Sequence, residues 1–195
     1  MTRSHPNRRA ALLSLGGLAL LTRAAAAAKL PGSSVFQLPA TLTDQDGRAF
    51  ELASLRGQVT LASMFYSSCD KVCPVIFETI AQTLKALPAA ERERVKVLMV
   101  SFDPAHDSVA VLKKTFEAHG CDARWTLART DEASARKIAA VLGVQYRRLA
   151  DGEFNHSSVI ELLDSEGRIA ARSAQMGVVD AALTKALRQA LAAGG

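Results

Sequence analysis

Residues 59–74 read VTLASMFYSSCDKVCP. The first half, from Val59 to Tyr66, is mostly apolar and predicts a buried β-strand. The second half places Cys69 and Cys73 where that strand pattern ends and a helical pattern begins. Ligands of open α/β sheets bind at the carboxyl ends of the strands. A cysteine pair at this junction therefore indicates either a redox couple or part of a site for a soft metal ion.

The chain around this stretch alternates between strand and helix patterns. Residues 41–52 predict a hairpin with Asp46-Gly47 as a two-residue turn. Apolar runs predict further strands at 95–102, 125–128, 159–163 and 168–171, and amphipathic segments predict the helices. Parallel strands joined by helices, then a hairpin and a closing helix, form an α/β, thioredoxin-like fold. We expect a central mixed sheet flanked by helices, with an N-terminal hairpin and an inserted strand-helix unit.

The first 28 residues have the pattern of a secretory signal peptide. Arg3, Arg8 and Arg9 precede an uncharged apolar run from Ala10 to Leu21, and alanines follow at 24–28. We therefore expect a signal peptide at 1–28, or an uncleaved anchor, followed by one domain at 29–195. The expected location is the periplasm, with a tether to the inner membrane if the leader remains.

The leader also accounts for most of the net charge of +5. It holds four of the 24 basic residues and none of the 19 acidic ones, so the remainder is close to neutral. This balance argues against nucleic acid as a partner. An exported protein can form disulfides, and its three cysteines leave one spare, which we expect to be Cys121.

Distant segments are predicted to meet at one edge of the sheet. The Cys69–Cys73 loop follows one parallel strand, and Ser101-Phe102-Asp103-Pro104 follows the next. His156 comes just before an antiparallel strand, which starts at the same edge. A helix beginning near residue 70 would place both sulfur atoms at its positive end, which favours thiolates.

Thiolates serve two chemistries, so the cysteine pair alone leaves the function open. They are the nucleophiles of disulfide exchange and also ligands for copper. His156 favours copper, because two thiolates and an imidazole suit Cu(I) and Cu(II), whereas disulfide exchange needs no such histidine. A closed structural zinc site would need a fourth protein ligand. A plain structural disulfide is the remaining reading, and a peroxidase lacks the expected Thr-x-x-Cys pattern.

The ordered motifs resemble those of the SCO/SenC family. They are Cys69-x-x-x-Cys73-Pro74, then Ser101-Phe102-Asp103-Pro104-x-x-Asp107, then His156-Ser157-Ser158 before an apolar strand. The resemblance covers roughly residues 35–190. It implies a thioredoxin-like, exported or membrane-tethered copper-binding protein that assists assembly of the binuclear copper centre of cytochrome c oxidase. It also implies that Cys69, Cys73 and His156 hold the copper, and that Asp103 and Asp107 are structural or support the copper ligands from outside.

Two of the motifs depart from the family pattern, and both departures make the site less negative. Asp70-Lys71 replaces the usual Pro-Asp between the cysteines, and Asn155 replaces an aspartate before the histidine. The implied partner is a copper-accepting oxidase subunit or another cuproprotein. The alternative function is a periplasmic thiol-disulfide oxidoreductase that uses the Cys69/Cys73 couple with a thioredoxin-like partner.

Overall fold

The computed structural model describes residues 1, 29–69 and 71–194. The predicted signal peptide, apart from Met1, lies outside the described residues, as does Asp70. The helices are α1 (Val72–Lys85), α2 (Ala89–Arg92), α3 (Val109–Ala118), α4 (Glu132–Val141) and α5 (Ala181–Ala193). The strands are β1 (Thr41–Asp44), β2 (Ala49–Glu51), β3 (Val59–Phe65), β4 (Val95–Ser101), β5 (Trp125–Arg129), β6 (Tyr146–Arg148), β7 (Phe154–His156), β8 (Ile160–Leu163) and β9 (Ile169–Ser173).

A seven-stranded mixed sheet forms the centre of the fold, in the order β2-β1-β5-β4-β3-β8-β9. Strands β3, β4 and β5 are parallel, and β8 runs antiparallel beside β3. All seven residues of β3 are buried, as the apolar run predicted. The carboxyl ends of β3 and β4 therefore lie at the same edge as the start of β8. The predicted thioredoxin-like arrangement is confirmed, and this edge positions the functional residues.

Helix ends follow the local sequence chemistry. Ser108 begins α3 by accepting a hydrogen bond from the Val111 amide, and Asp131 does the same for the Ser134 amide at the start of α4. The short helix α2, after Pro88, was not predicted. Among the described residues, no helix is long and apolar enough to span a membrane.

The N-terminal hairpin is present, but its turn is longer than predicted. The Asp44 amide donates to the Arg48 carbonyl at 2.9 Å, so three residues, 45–47, form the loop. Gly47 takes a φ of +79°, which is the left-handed conformation at the end of such a loop. The β8–β9 hairpin closes in the same way. The Asp164 amide donates to the Arg168 carbonyl, and Gly167 has a φ of +77°.

A third hairpin of this kind, which the sequence pattern did not predict, lies between α4 and β8. Strands β6 and β7 form a separate two-stranded ribbon, with Tyr146 opposite His156. Its loop is Ala150-Asp151-Gly152, and Gly152 has a φ of +90°. We call residues 145–157 the ribbon. His156, expected just before an antiparallel strand, therefore lies at the end of β7 and precedes β8.

Candidate metal centre

Three side chains from two parts of the chain converge at the sheet edge. The sulfur atoms of Cys69 and Cys73 and a ring nitrogen of His156 all lie within 4.8 Å of one another. Both cysteines are buried and free, and His156 is half-buried. Cys69 comes from the loop after β3, Cys73 from the first turn of α1, and His156 from the ribbon. The predicted convergence of these three residues is thus present.

Cys69 lies at the start of α1, and its sulfur accepts a hydrogen bond from the Cys73 amide at 3.4 Å. The N-cap residue, Lys71, makes no side-chain hydrogen bond to this helix, so the Cys69 sulfur meets amide groups that have no partner within the helix. Burial raises the pKa of the Cys69 thiol, but the amides of Cys73, Lys71 and Val72 together with the Cys73 thiol outweigh it, and the net pKa is lowered. The expected thiolate is supported at this position.

Cys73 behaves in the opposite way. It is 2% exposed, against 9% for Cys69. Burial raises the pKa of its thiol strongly, and the neighbouring Cys69 and Asp107 raise it further. The prediction that the helix end would favour a thiolate at both cysteines is therefore wrong for Cys73, because burial outweighs the helix end there. In the metal-free protein, Cys69 ionises first and Cys73 stays protonated.

Asp107 holds the cysteine loop against the end of β4. Its carboxylate accepts hydrogen bonds from the Ser67 amide at 3.2 Å and from the hydroxyls of Ser67 and Ser101. The Asp107 residue is only 1% exposed. Asp103 is also buried, and its carboxylate contacts the ring of the exposed His106. Both aspartates thus have structural contacts, although Ser108 and not Asp107 caps α3.

The tautomer of His156 follows from its neighbour. Its Nδ1 lies 3.2 Å from the Ser157 carbonyl oxygen, which can only accept a hydrogen bond. Nδ1 must therefore carry the proton of a neutral imidazole, and Nε2 keeps its lone pair. A histidine that donates through one nitrogen to a carbonyl and offers the other to a metal ion is the usual arrangement in metal sites.

Aromatic rings surround His156 and attach the ribbon to the sheet edge. Phe102 contacts the rings of Tyr66, Tyr146, Phe154 and His156 at centroid distances of 4.8–5.3 Å. The Tyr66 hydroxyl donates to the Glu153 carboxylate at 2.6 Å. Burial raises the pKa of Tyr66 strongly, and Glu153 and Cys69 raise it further, so this hydroxyl stays protonated.

The sequence analysis did not find Tyr66, Glu153 and the ribbon. One signal was present, since Asp151-Gly152 between Tyr146 and Phe154 is a favoured hairpin turn flanked by aromatic residues. Cys121 lies outside the cluster, three residues after α3, and burial raises its pKa to about 12. This agrees with its assignment as a spare thiol.

The donor set fits a soft metal ion. The two sulfur atoms suit Cu(I), and the imidazole nitrogen makes the set suitable for Cu(II) as well. Among the described residues, no fourth His, Cys, Asp or Glu joins this cluster. That composition is unlike a closed four-ligand zinc site.

Comparison with known proteins identifies the family. The sequence matches the SCO1/SenC family over residues 29–192. This chain belongs to the SCO1/SenC family. A relative, the SCO1 protein homolog of Bacillus subtilis, is 36% identical over 76 residues. That match spans 39% of this chain and 39% of the relative's length.

Two solved structures show the same fold. The putative electron transfer protein of Aquifex aeolicus has a TM-score of 0.72 at 22% identity, with 81% of this chain and 93% of that one covered. ScoI of Bradyrhizobium japonicum, solved with copper bound, has a TM-score of 0.66 at 26% identity, with 77% of this chain and 96% of that one covered. The SCO1/SenC resemblance drawn from the motifs is therefore confirmed.

Proposed function

We propose that this SCO1/SenC protein binds copper through Cys69, Cys73 and His156 and delivers it to a cytochrome c oxidase-type copper centre. The observation that carries the proposal is the cluster of two sulfur atoms and one imidazole nitrogen within 4.8 Å. The copper bound to the related ScoI supports it. The family resemblance supports the choice of an oxidase subunit as the receiving partner.

The chemistry of the site suits a cargo that is held and then released. Cys69 is less deeply buried than Cys73 and its pKa is lowered, so it offers the first thiolate, whereas Cys73 must lose its proton as metal binds. His156 offers the lone pair of Nε2 from a half-buried position. Copper is soft, and three ligands leave room for a partner's donor during transfer.

Titration of the reduced protein with Cu(I) and with Cu(II) tests the ligand set. We expect one copper per chain. We also expect His156→Ala to lower Cu(II) affinity by more than about 100-fold, because loss of a group that only supports a metal ligand already costs about 10–100-fold. His106→Ala is the matched control, because this histidine is exposed and paired with Asp103. Stoichiometric binding that survives His156→Ala unchanged would reject the three-ligand site.

A thiol-disulfide oxidoreductase is the second candidate, favoured by the different pKa shifts of the two cysteines. The Cys69 thiolate would attack a client disulfide, forming a mixed disulfide and releasing one client thiolate. Cys73, deprotonated in the second step, would attack the Cys69 sulfur, leaving a Cys69–Cys73 disulfide and a second client thiolate. The lowered pKa of Cys69 and the burial of Cys73 match these two roles.

Trapping of the mixed disulfide distinguishes this reaction from copper binding. Cys73→Ser should accumulate an adduct between Cys69 and a model disulfide, whereas Cys69→Ser should form almost none. Equal adduct formation by the two variants would contradict the assigned roles. A very low reduction potential with negligible exchange in the wild type would indicate a structural bridge instead.

We also propose that residues 1–28 direct export of the chain to the periplasm. This leader is then either cleaved off or retained as a tether to the inner membrane. The basic start, the apolar run and the alanine sites support this. N-terminal sequencing of protein from a periplasmic fraction, compared with the membrane fraction, distinguishes the two outcomes. A mature chain beginning near residue 29 supports cleavage, and recovery from the cytoplasm would reject export.

A further inference from the structure

The ribbon that carries His156 is attached to the sheet edge by side chains and not by strand pairing. In the part of the chain that the structure describes, the ribbon and the seven-stranded sheet are separate sheets. Tyr66 contacts the ribbon at three residues. Its ring lies 5.1 Å from the Phe154 ring and 5.8 Å from the His156 ring, and its hydroxyl donates to Glu153 at 2.6 Å.

Tyr66 itself belongs to the cysteine side of the site. It directly follows β3, it is 3% exposed, and its carbonyl accepts a hydrogen bond from the Cys69 amide at 3.3 Å. Its ring also packs against Phe102 at 5.3 Å. One fixed residue therefore contacts both the loop of the first sulfur ligand and the strand of the imidazole ligand.

We propose that the Tyr66–Glu153 hydrogen bond positions His156 relative to the two sulfur atoms, so that Tyr66 and Glu153 act as positioning residues for copper. This rests on the proposed copper function. A phenol that donates to a carboxylate makes a charge-assisted hydrogen bond, which is stronger than a neutral one and strengthened further by burial. Glu153 is three residues before His156, so holding it limits where the imidazole can lie.

The consequence is a selective effect on the oxidation state of the bound copper. Imidazole matters more to Cu(II), whereas two thiolates alone satisfy much of the preference of Cu(I). Loss of the hydrogen bond should therefore lower Cu(II) affinity about tenfold. This is the lower end of the affinity loss seen when a residue that supports a metal ligand is replaced. Cu(I) affinity should change by less than about threefold, because the sulfur atoms stay in place.

The experiment compares Tyr66→Phe, Glu153→Ala and the double variant with the wild type. If both side chains act through one hydrogen bond, the double variant loses no more Cu(II) affinity than either single variant. Glu153→Gln retains an acceptor oxygen and should recover part of the loss. Tyr146→Phe is the matched control, because its hydroxyl is buried in the same aromatic cluster and has no hydrogen-bond partner among the described residues.

Two further measurements separate this proposal from the copper function. The nitrogen hyperfine splitting in the Cu(II) electron paramagnetic resonance spectrum should change in Tyr66→Phe and not in Tyr146→Phe. In the metal-free protein, amide hydrogen exchange at residues 154–156 should quicken in Tyr66→Phe and Glu153→Ala. If the two variants exchange faster and the wild type binds no copper, the copper function is rejected while the positioning contact is supported. Wild-type Cu(II) affinity and wild-type amide exchange in both variants would overturn the positioning role.

Discussion

The two regions that supply the site are built in different ways. The cysteine loop lies at the end of a fully buried strand, is fixed by the Asp107 carboxylate, and leads directly into α1. The ribbon with His156 pairs only with itself among the described strands and reaches the sheet edge through aromatic rings and one tyrosine hydroxyl. The two sulfur atoms are therefore part of the sheet framework, whereas the imidazole is held by a small number of side-chain contacts.

This difference has a physical consequence for metal exchange. Segments with few buried contacts open at lower free-energy cost than segments within a sheet. We expect the imidazole to detach before the sulfur atoms when a partner approaches. If the protein delivers copper as proposed, a ligand on the more easily displaced element eases its release.

The largest effect is expected for Phe102→Ala, which removes the ring that joins the two regions. Phe102 is 2% exposed and contacts four aromatic rings. Its truncation should lower the free energy of unfolding by about 3–5 kcal/mol. Chemical denaturation measures the loss, and amide exchange should quicken more in the ribbon than in β3. Phe116→Ala, in a partly buried residue of α3, should cost less. A loss below about 1 kcal/mol, with the ribbon unchanged, would contradict the bridging role.

Asp107→Ala should loosen the cysteine loop while leaving the ribbon in place. The change leaves the buried hydroxyl of Ser101 and the amide and hydroxyl of Ser67 without their acceptor. Unsatisfied buried groups cost 1–3 kcal/mol each, and partial access to water reduces the sum, so we expect about 2–3 kcal/mol.

Asp103→Ala is the matched control for this loop, because the partner of Asp103 is the exposed His106 ring. Thermal or denaturant unfolding should show a smaller loss for it. Equal losses in the two variants would mean that the Asp107 contacts to Ser67 and Ser101 are not what stabilises the cysteine loop.

The sequence was a good guide where periodicity and chain order decide the structure. The apolar run of β3 and the change to a helical pattern at Cys69 placed the cysteines at the correct sheet edge, because strand burial and helix amphipathicity are local signals. Hairpin turns were less accurate: Asp46-Gly47 predicted two loop residues, and the structure has three. Both loop types place glycine at a left-handed position, so the local sequence alone does not separate them.

The sequence predicted which residues form the site better than it predicted their pKa values and contacts. Cys69 and Cys73 are only four residues apart in the sequence, yet their pKa values shift in opposite directions, since burial depends on packing from distant elements. The Tyr66–Glu153 contact joins residues far apart in sequence. Only the arrangement of the ribbon against Phe102 brings them together, and no local pattern reports that.

Gly143→Ala tests the base of the ribbon, where α4 ends. Gly143 has a φ of +63°, and a Cβ atom there would lie 2.9 Å from Cζ of the Arg172 guanidinium. The left-handed conformation alone costs a non-glycine residue about 1–2 kcal/mol, and Arg172 must also move. Gly152, at the ribbon tip, has a φ of +90° and open space around it. Gly152→Ala therefore measures the cost of the backbone conformation without a steric clash. If Gly152→Ala destabilises the protein more than Gly143→Ala, the contact with Arg172 does not matter.

The smallest effect concerns pH and the ion pair beside that base. Glu161 in β8 is fully buried, lies 2.6 Å from Arg172 Nε, and Arg172 also donates to the Leu142 carbonyl at the end of α4. Burial raises the pKa of Glu161, and Arg172 only partly offsets this. Below the unfolded-state pKa of about 4.3 the residue is protonated in both states. As pH rises through the higher folded-state pKa, the buried carboxylate ionises and its contribution to stability is lost.

The Glu161→Gln variant removes this pH-dependent contribution. The free energy of unfolding of the wild type, relative to Glu161→Gln, should therefore be lower at pH 7.5 than at pH 4.5, by denaturant unfolding at both values. Glu117→Gln, at an exposed residue of α3, controls for the change in net charge. The opposite sign, with the wild type gaining relative stability as pH rises, would show that the attraction of Arg172 exceeds the cost of burial. The ion pair would then be a net stabiliser of the helix end from which the ribbon begins.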